Sequence, residues 1–128
     1  MSNLLIGLGA LSAFISVAAG AFGAHALKQL LGTDMLAVYH TAVDYQFFHS
    51  LGLIAIGSIH RISPRRQHAA SAWLMLAGIL IFSGSLYTLS ITGIRWLGMI
   101  TPVGGICLLA AWLMLALSHL MGTKNRED

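Results

Sequence analysis

The sequence predicts an all-α integral membrane protein: four transmembrane helices in an up-down antiparallel bundle, with both termini cytoplasmic. Three observations carry this. Of 128 residues, 57% are hydrophobic and only 9% are charged, and the mean hydropathy is +0.81. A soluble domain is about a quarter charged, so too few charges exist here to cover a water-facing surface. Second, four apolar stretches, roughly 4–24, 38–59, 69–91 and 97–120, reach the ~20 helical residues that cross ~30 Å of hydrocarbon. Third, the basic residues collect in short polar segments, which is a topology signal and argues against nucleic-acid binding. The length suits a single membrane domain over 1–128.

The first stretch, 4–24, begins after Met-Ser-Asn, which lacks the basic n-region of a signal peptide. It is also longer than a typical h-region, so it is expected to be a retained span. Ser12, Ser16, Gly20 and Ala24 recur every four residues. Such a small-residue stripe lets another backbone approach closely. Packing within the bundle is the preferred reading, and a homo-oligomer contact the sharper one. The break at 28–36 holds Lys28, Gly32, Thr33 and Asp34. The second stretch, 38–59, contains Asp44, the one Asp, Glu, Lys or Arg within the four spans. Residues 60–68, His-Arg-Ile-Ser-Pro-Arg-Arg-Gln-His, form a basic connection with Pro64. A short 92–96 turn joins the third and fourth spans, and the polar tail 122–128 is expected to fray. Cys107 has no partner for an intrachain disulfide and sits in an apolar run as a packing residue.

An even number of spans puts the termini and the 60–68 loop on one side. Arg61, Arg65, Arg66, Lys124 and Arg126 lie there, against Lys28 and Arg95 on the other side. The positive-inside rule makes the richer side cytoplasmic. Trp96 and Tyr39 then mark the outer interface and Trp73 the inner one.

Residues 39–49, Tyr-His-Thr-Ala-Val-Asp-Tyr-Gln-Phe-Phe-His, put polar groups where hydrocarbon is expected. Such groups need a partner or a task. At ~100° and 1.5 Å per residue, His40 and Asp44 share one face and Tyr45 and His49 another, with Gln46 beside His49. Asp44 lies about 6–9 Å below the outer interface and His49 near mid-membrane. Three more stretches reach the same outer half: Gly20-Ala-Phe-Gly-Ala-His25, Phe82-Ser-Gly-Ser-Leu-Tyr87 and Gly98 to Gly105 with Pro102. Pro102 is expected to weaken the start of the fourth helix. Ser83, Ser85, Tyr45 and Thr101 are placed to satisfy the freed backbone. The resulting candidate ligand-binding set is His25, Tyr45, Gln46, His49, Ser83, Ser85, Tyr87 and Thr101.

His25, His40 and Asp44 have ligand types suited to zinc or copper but lack a diagnostic spacing. His49 and His119 are placed too far apart in depth to share a haem. No nucleophile is marked with a base, so no catalytic residue is assigned. No cofactor is expected.

Gly20 to His25, Tyr45-Gln46 with His49, Phe82 to Tyr87, and Thr101-Pro-Val-Gly-Gly105 with Trp112 occur in this order. Together they resemble the bacterial inner-membrane family known as domain of unknown function 423, to which eukaryotic transmembrane protein 256 is similar. The resemblance covers nearly the whole chain and implies a small four-span protein without an established reaction. His40 and Asp44 depart from the family pattern, where glutamine or glutamate is common. That shifts weight from a metal pair to Tyr45, Gln46 and His49. The expectation is a structural or accessory membrane protein whose partners are the bilayer and a second copy or another membrane protein. The alternative is binding or transport of a small molecule, a proton or a lipid headgroup around His49.

Overall fold

The computed structural model describes residues 1–121, which are entirely helix and short turns. Four long helices follow one another: α1 (Ser2–Phe22), α2 (Thr33–Ile62), α3 (Arg66–Thr92) and α4 (Thr101–Leu120). A π-helical turn, Gly23–Leu27, and a last α-turn, Lys28–Leu30, extend α1. A 3₁₀ segment, Arg95–Met99, precedes α4. The tail and its Lys124 and Arg126 lie outside the described residues.

Three of these segments are long and apolar enough to cross a membrane: Ser2–Leu30, Arg66–Thr92 and Arg95–Leu120. The second helix, Thr33–Ile62, is not among them. With 30 residues it is about 45 Å long, but its polar 39–49 stretch dilutes its hydropathy. The surface of the apolar segments fits lipid: Phe14, Leu80 and Leu109 are 71%, 66% and 72% exposed.

Local chemistry explains the boundaries. Gly32 is extended at the start of α2, and Asp34 in its first turn complements the positive end of the helix dipole. Pro64 follows the C-terminus of α2 and cannot continue it. Gly93, at φ 72°, closes α3 in the left-handed conformation that a side chain resists. Pro102 sits in the first turn of α4, where its missing N–H leaves no helical bond unmade. The expected weak point in the fourth helix is therefore a helix start. The chain between 95 and 99 adopts a separate 3₁₀ turn instead.

Each helix packs along its sequence neighbour: α1 on α2, α2 on α3 and α3 on α4. The contacts of α1 with α2, and of α3 with α4, run in opposite order. Leu5, Gly9 and Ser16 of α1 meet Gly57, Ile54 and Val43 of α2. Along α3 and α4, Ser71 bonds the Ala111 carbonyl at 2.7 Å, while Ser85 meets Thr101 at 2.7 Å. Between these, a Cβ on Gly104 would strike the backbone nitrogen of Phe82, so the glycine permits that approach. Leu5, Leu53, Ile56, Met75, Ile79, Leu108 and Ala111 form the apolar core, towards the end that carries the 63–65 turn. The polar 39–49 stretch occupies the other half.

Candidate functional site

One turn of α2 faces both neighbours with hydrogen-bonding groups. Gln46 is buried, and its Nε2 donates to the Ser12 carbonyl at 3.1 Å and approaches Ser12 Oγ at 3.4 Å. Its Oε1 accepts from the Tyr87 hydroxyl at 2.7 Å. Ser50, one turn further along and fully buried, donates to the Gln46 carbonyl at 2.5 Å and can accept from the Ser12 hydroxyl, 2.7 Å away. The amide of Gln46 thus joins α1, α2 and α3. Around it, Ser16 donates to the Val43 carbonyl at 2.9 Å and Ser83 to the Ala42 carbonyl at 2.8 Å. Tyr39 donates to the Ala19 carbonyl at 2.5 Å, and its ring stands edge-on to Tyr87 at 5.3 Å. Three members of the small-residue stripe therefore line the α1–α2 contact: Ser12, Ser16 and Gly20, which faces Val43. Ala24 falls in the π-turn and is exposed.

Tyr45 and His49 are turned about the helix from Gln46 by ~100° and ~60° and meet different neighbours. They line a groove of about 480 Å³ with Phe48, Phe82, Leu108 and Trp112. Tyr45 stacks on Phe82 at 4.3 Å and on His49 at 5.5 Å. The His49 ring lies 6.1 Å from Trp112. His49 Nδ1 is 2.7 Å from the Tyr45 carbonyl, which can only accept, so the proton sits on Nδ1. In the neutral ring Nε2 is then the remaining acceptor. The groove is apolar and aromatic with one basic nitrogen, suited to a lipid-soluble molecule bearing a hydroxyl or similar donor.

The other candidates are dispersed. Ser85 and Thr101 bond each other at 2.7 Å across α3 and α4, a separate buried pair. His25 is exposed in the π-turn, and His40 and Asp44 are exposed on α2. Among the described residues no group of three or more His, Cys, Asp or Glu is arranged to hold a metal.

A second polar locus lies at the 63–65 end. His68 is fully buried; its ring stacks on His119 at 5.0 Å and meets His60 edge-on at 6.3 Å. His68 Nδ1 donates to the Ser63 carbonyl at 3.0 Å, while His68 Nε2 and His60 Nδ1 are buried without a partner among the described residues. Spacing conceals this row, since its members come from three helices. Ser12, Ser16, Ser50 and Tyr39 were also left out of the candidate set, and Tyr39, expected at the outer interface, is buried and bonded to the Ala19 carbonyl. Ser12 was legible in the small-residue stripe, and Ser50 follows Gln46 at the helical interval of four.

Comparison with known proteins agrees with the ordered motifs. A family model described as protein of unknown function (DUF423) matches residues 19–105. A UPF0382 membrane protein of Staphylococcus haemolyticus is 49% identical over 116 residues, covering 91% of this chain and 94% of its own. The UPF0382 membrane protein YwdK of Bacillus subtilis is 42% identical over 117 residues, covering 91% and 95% respectively. No solved structure matches the chain. A match over most of the length, including the Gln46 and His49 region, carries the assignment: this chain belongs to the DUF423 family of membrane proteins.

Proposed function

We propose that this protein is a structural or accessory component of the bacterial inner membrane. In this reading all four helices cross the bilayer in an up-down antiparallel bundle, with both termini in the cytoplasm. The observation that carries it is the Gln46 network: both ends of the Gln46 amide find protein partners on neighbouring helices. In hydrocarbon such bonds replace water and hold helices in register. Burial of this polar turn between α1 and α3 also supports a spanning α2 despite its lower hydropathy. The opposite order of contacts between α1 and α2, and between α3 and α4, supports the up-down arrangement, and the basic 60–68 segment supports the cytoplasmic side. Thiol labelling from each side tests the topology, with single cysteines placed at Pro64 and at Gly93 in a Cys107→Ser background. Labelling of both positions from the same side would defeat it. The structural role is tested by Gln46→Leu, which should lower the amount of folded protein in the membrane.

The His49 groove favours a second reading, binding of a lipid-soluble small molecule. An aromatic-walled groove with one half-buried imidazole is more than bundle packing requires. His49→Ala should abolish binding of a hydrophobic fluorescent probe while folded protein persists. Unchanged probe binding in this variant would remove the groove from consideration.

A further inference from the structure

A second groove, of about 580 Å³, lies on the lipid-facing side of α4 at the 63–65 end. Its apolar floor is Ala110, Leu113, Met114 and Leu117, ending at Met121. These positions recur at three and four residues, so they form one stripe that runs about 16 Å along the helix. Leu113 and Leu117 are 60% and 44% exposed, so the stripe is open to lipid. Arg65 and Gln67 form the polar rim of the groove.

We propose that this groove binds an acidic phospholipid, with one acyl chain along α4 and the phosphate against Arg65. Charge supports that occupant. The segment 60–68 contributes Arg61, Arg65 and Arg66 and no acidic residue. Such basic patches beside an apolar helix face attract anionic headgroups. Arg65 is also held in place. Its Nη1 donates to the Ser118 carbonyl at 2.6 Å, in the last turn of α4, where carbonyls run short of helical donors. One edge of the guanidinium is thereby fixed, and its other donors remain for a phosphate, which arginine's planar fork suits. Arg65 is also the N-cap of α3, whose first amides carry no side-chain cap, and these also favour an anion. A zwitterionic lipid shares the phosphate but would set its own cation against Arg65 and Arg66. The site therefore selects for net negative charge. It is separate from the His49 groove and does not depend on the reading given to that groove.

The test is native mass spectrometry of the full chain, released from detergent containing equimolar dioleoyl phosphatidylglycerol and dioleoyl phosphatidylcholine. The wild type should retain the glycerol lipid over the choline lipid by about fivefold, the discrimination expected of one basic residue at a membrane surface. Arg65→Gln should bring the ratio to parity, Arg65→Lys should restore most of it, and Lys28→Gln, at the opposite end of the fold, should leave it unchanged. Leu113→Trp fills the groove with Arg65 intact, and should remove retention of both lipids; it decides the matter if Arg65→Gln fails to fold. Equal retention by the wild type would overturn the proposal, as would a preference that survives Arg65→Gln. Displacement of the lipid by soluble glycerol phosphate would assign the site to free phosphate instead. A lipid-free dimer dispersed by Leu113→Trp would assign the groove to a second copy.

Discussion

Tyr45 and Gln46 are adjacent in sequence, turned by ~100° about α2, and meet different surroundings. The Gln46 side is buried and ties three helices through the amide of one residue. The Tyr45 side is half open, stacked with rings, and offers one histidine nitrogen to a groove. The same polar composition thus serves cohesion on one face and access on the other. What separates them is what stands opposite. Gln46 meets serine and tyrosine groups that complete its bonding. Tyr45 and His49 meet Phe82 and Trp112 through ring contacts.

The contrast can be broken most severely at Gly104, where any Cβ strikes Phe82, which also walls the groove. Gly104→Leu should cost about 3 kcal/mol or prevent folding, and should destroy the groove as well. Thermal unfolding in bicelles would measure this; a folded variant of wild-type stability would show that α3 and α4 separate easily. Next is Gln46→Leu, which strands the Tyr87 hydroxyl and the Ser12 carbonyl. A loss of about 1.5–2 kcal/mol is expected, the upper range for bonds within membranes. Tyr87→Phe should cost about 0.6–1 kcal/mol. Combined with Gln46→Leu it should add less than its single effect, and strict additivity would deny the bond its role. His49→Ala should move stability by less than about 0.5 kcal/mol, because its surroundings are partly open. If this variant unfolds as readily as Gln46→Leu, the two faces do not differ in function.

The helical class, the positions of three apolar segments and the family were legible in the sequence, because hydropathy and ordered motifs are local properties. Residue depth put polar groups of all four helices in one half as a shared locus, with Gly20 to His25 as the part of α1; in the structure Ser12 and Ser16 are the α1 members, and His25 is exposed. Depth arithmetic did not divide that locus. Gln46 and His49 are three residues apart and share a helix side in projection, yet Ser12 and Tyr87 engage one while Trp112 borders the other. That division depends on where neighbouring helices sit. Ser85 and Thr101 pair with each other for the same reason. The His60–His68–His119 row escaped notice because its members sit near helix ends, where histidines read as solvated.

The π-turn at Gly23–Leu27 bears on how relatives should be aligned by eye. A wheel drawn from Ser12 through Gly20 stays true up to Phe22 and then loses phase, because the wider turn rotates everything beyond it. Ala24 drops off the stripe and His25 emerges on the surface. A family member lacking one residue in this stretch would run as an unbroken α-helix. The side chain at its aligned histidine would then leave the helix in a different direction, so identity in that column would not mean equivalence in space.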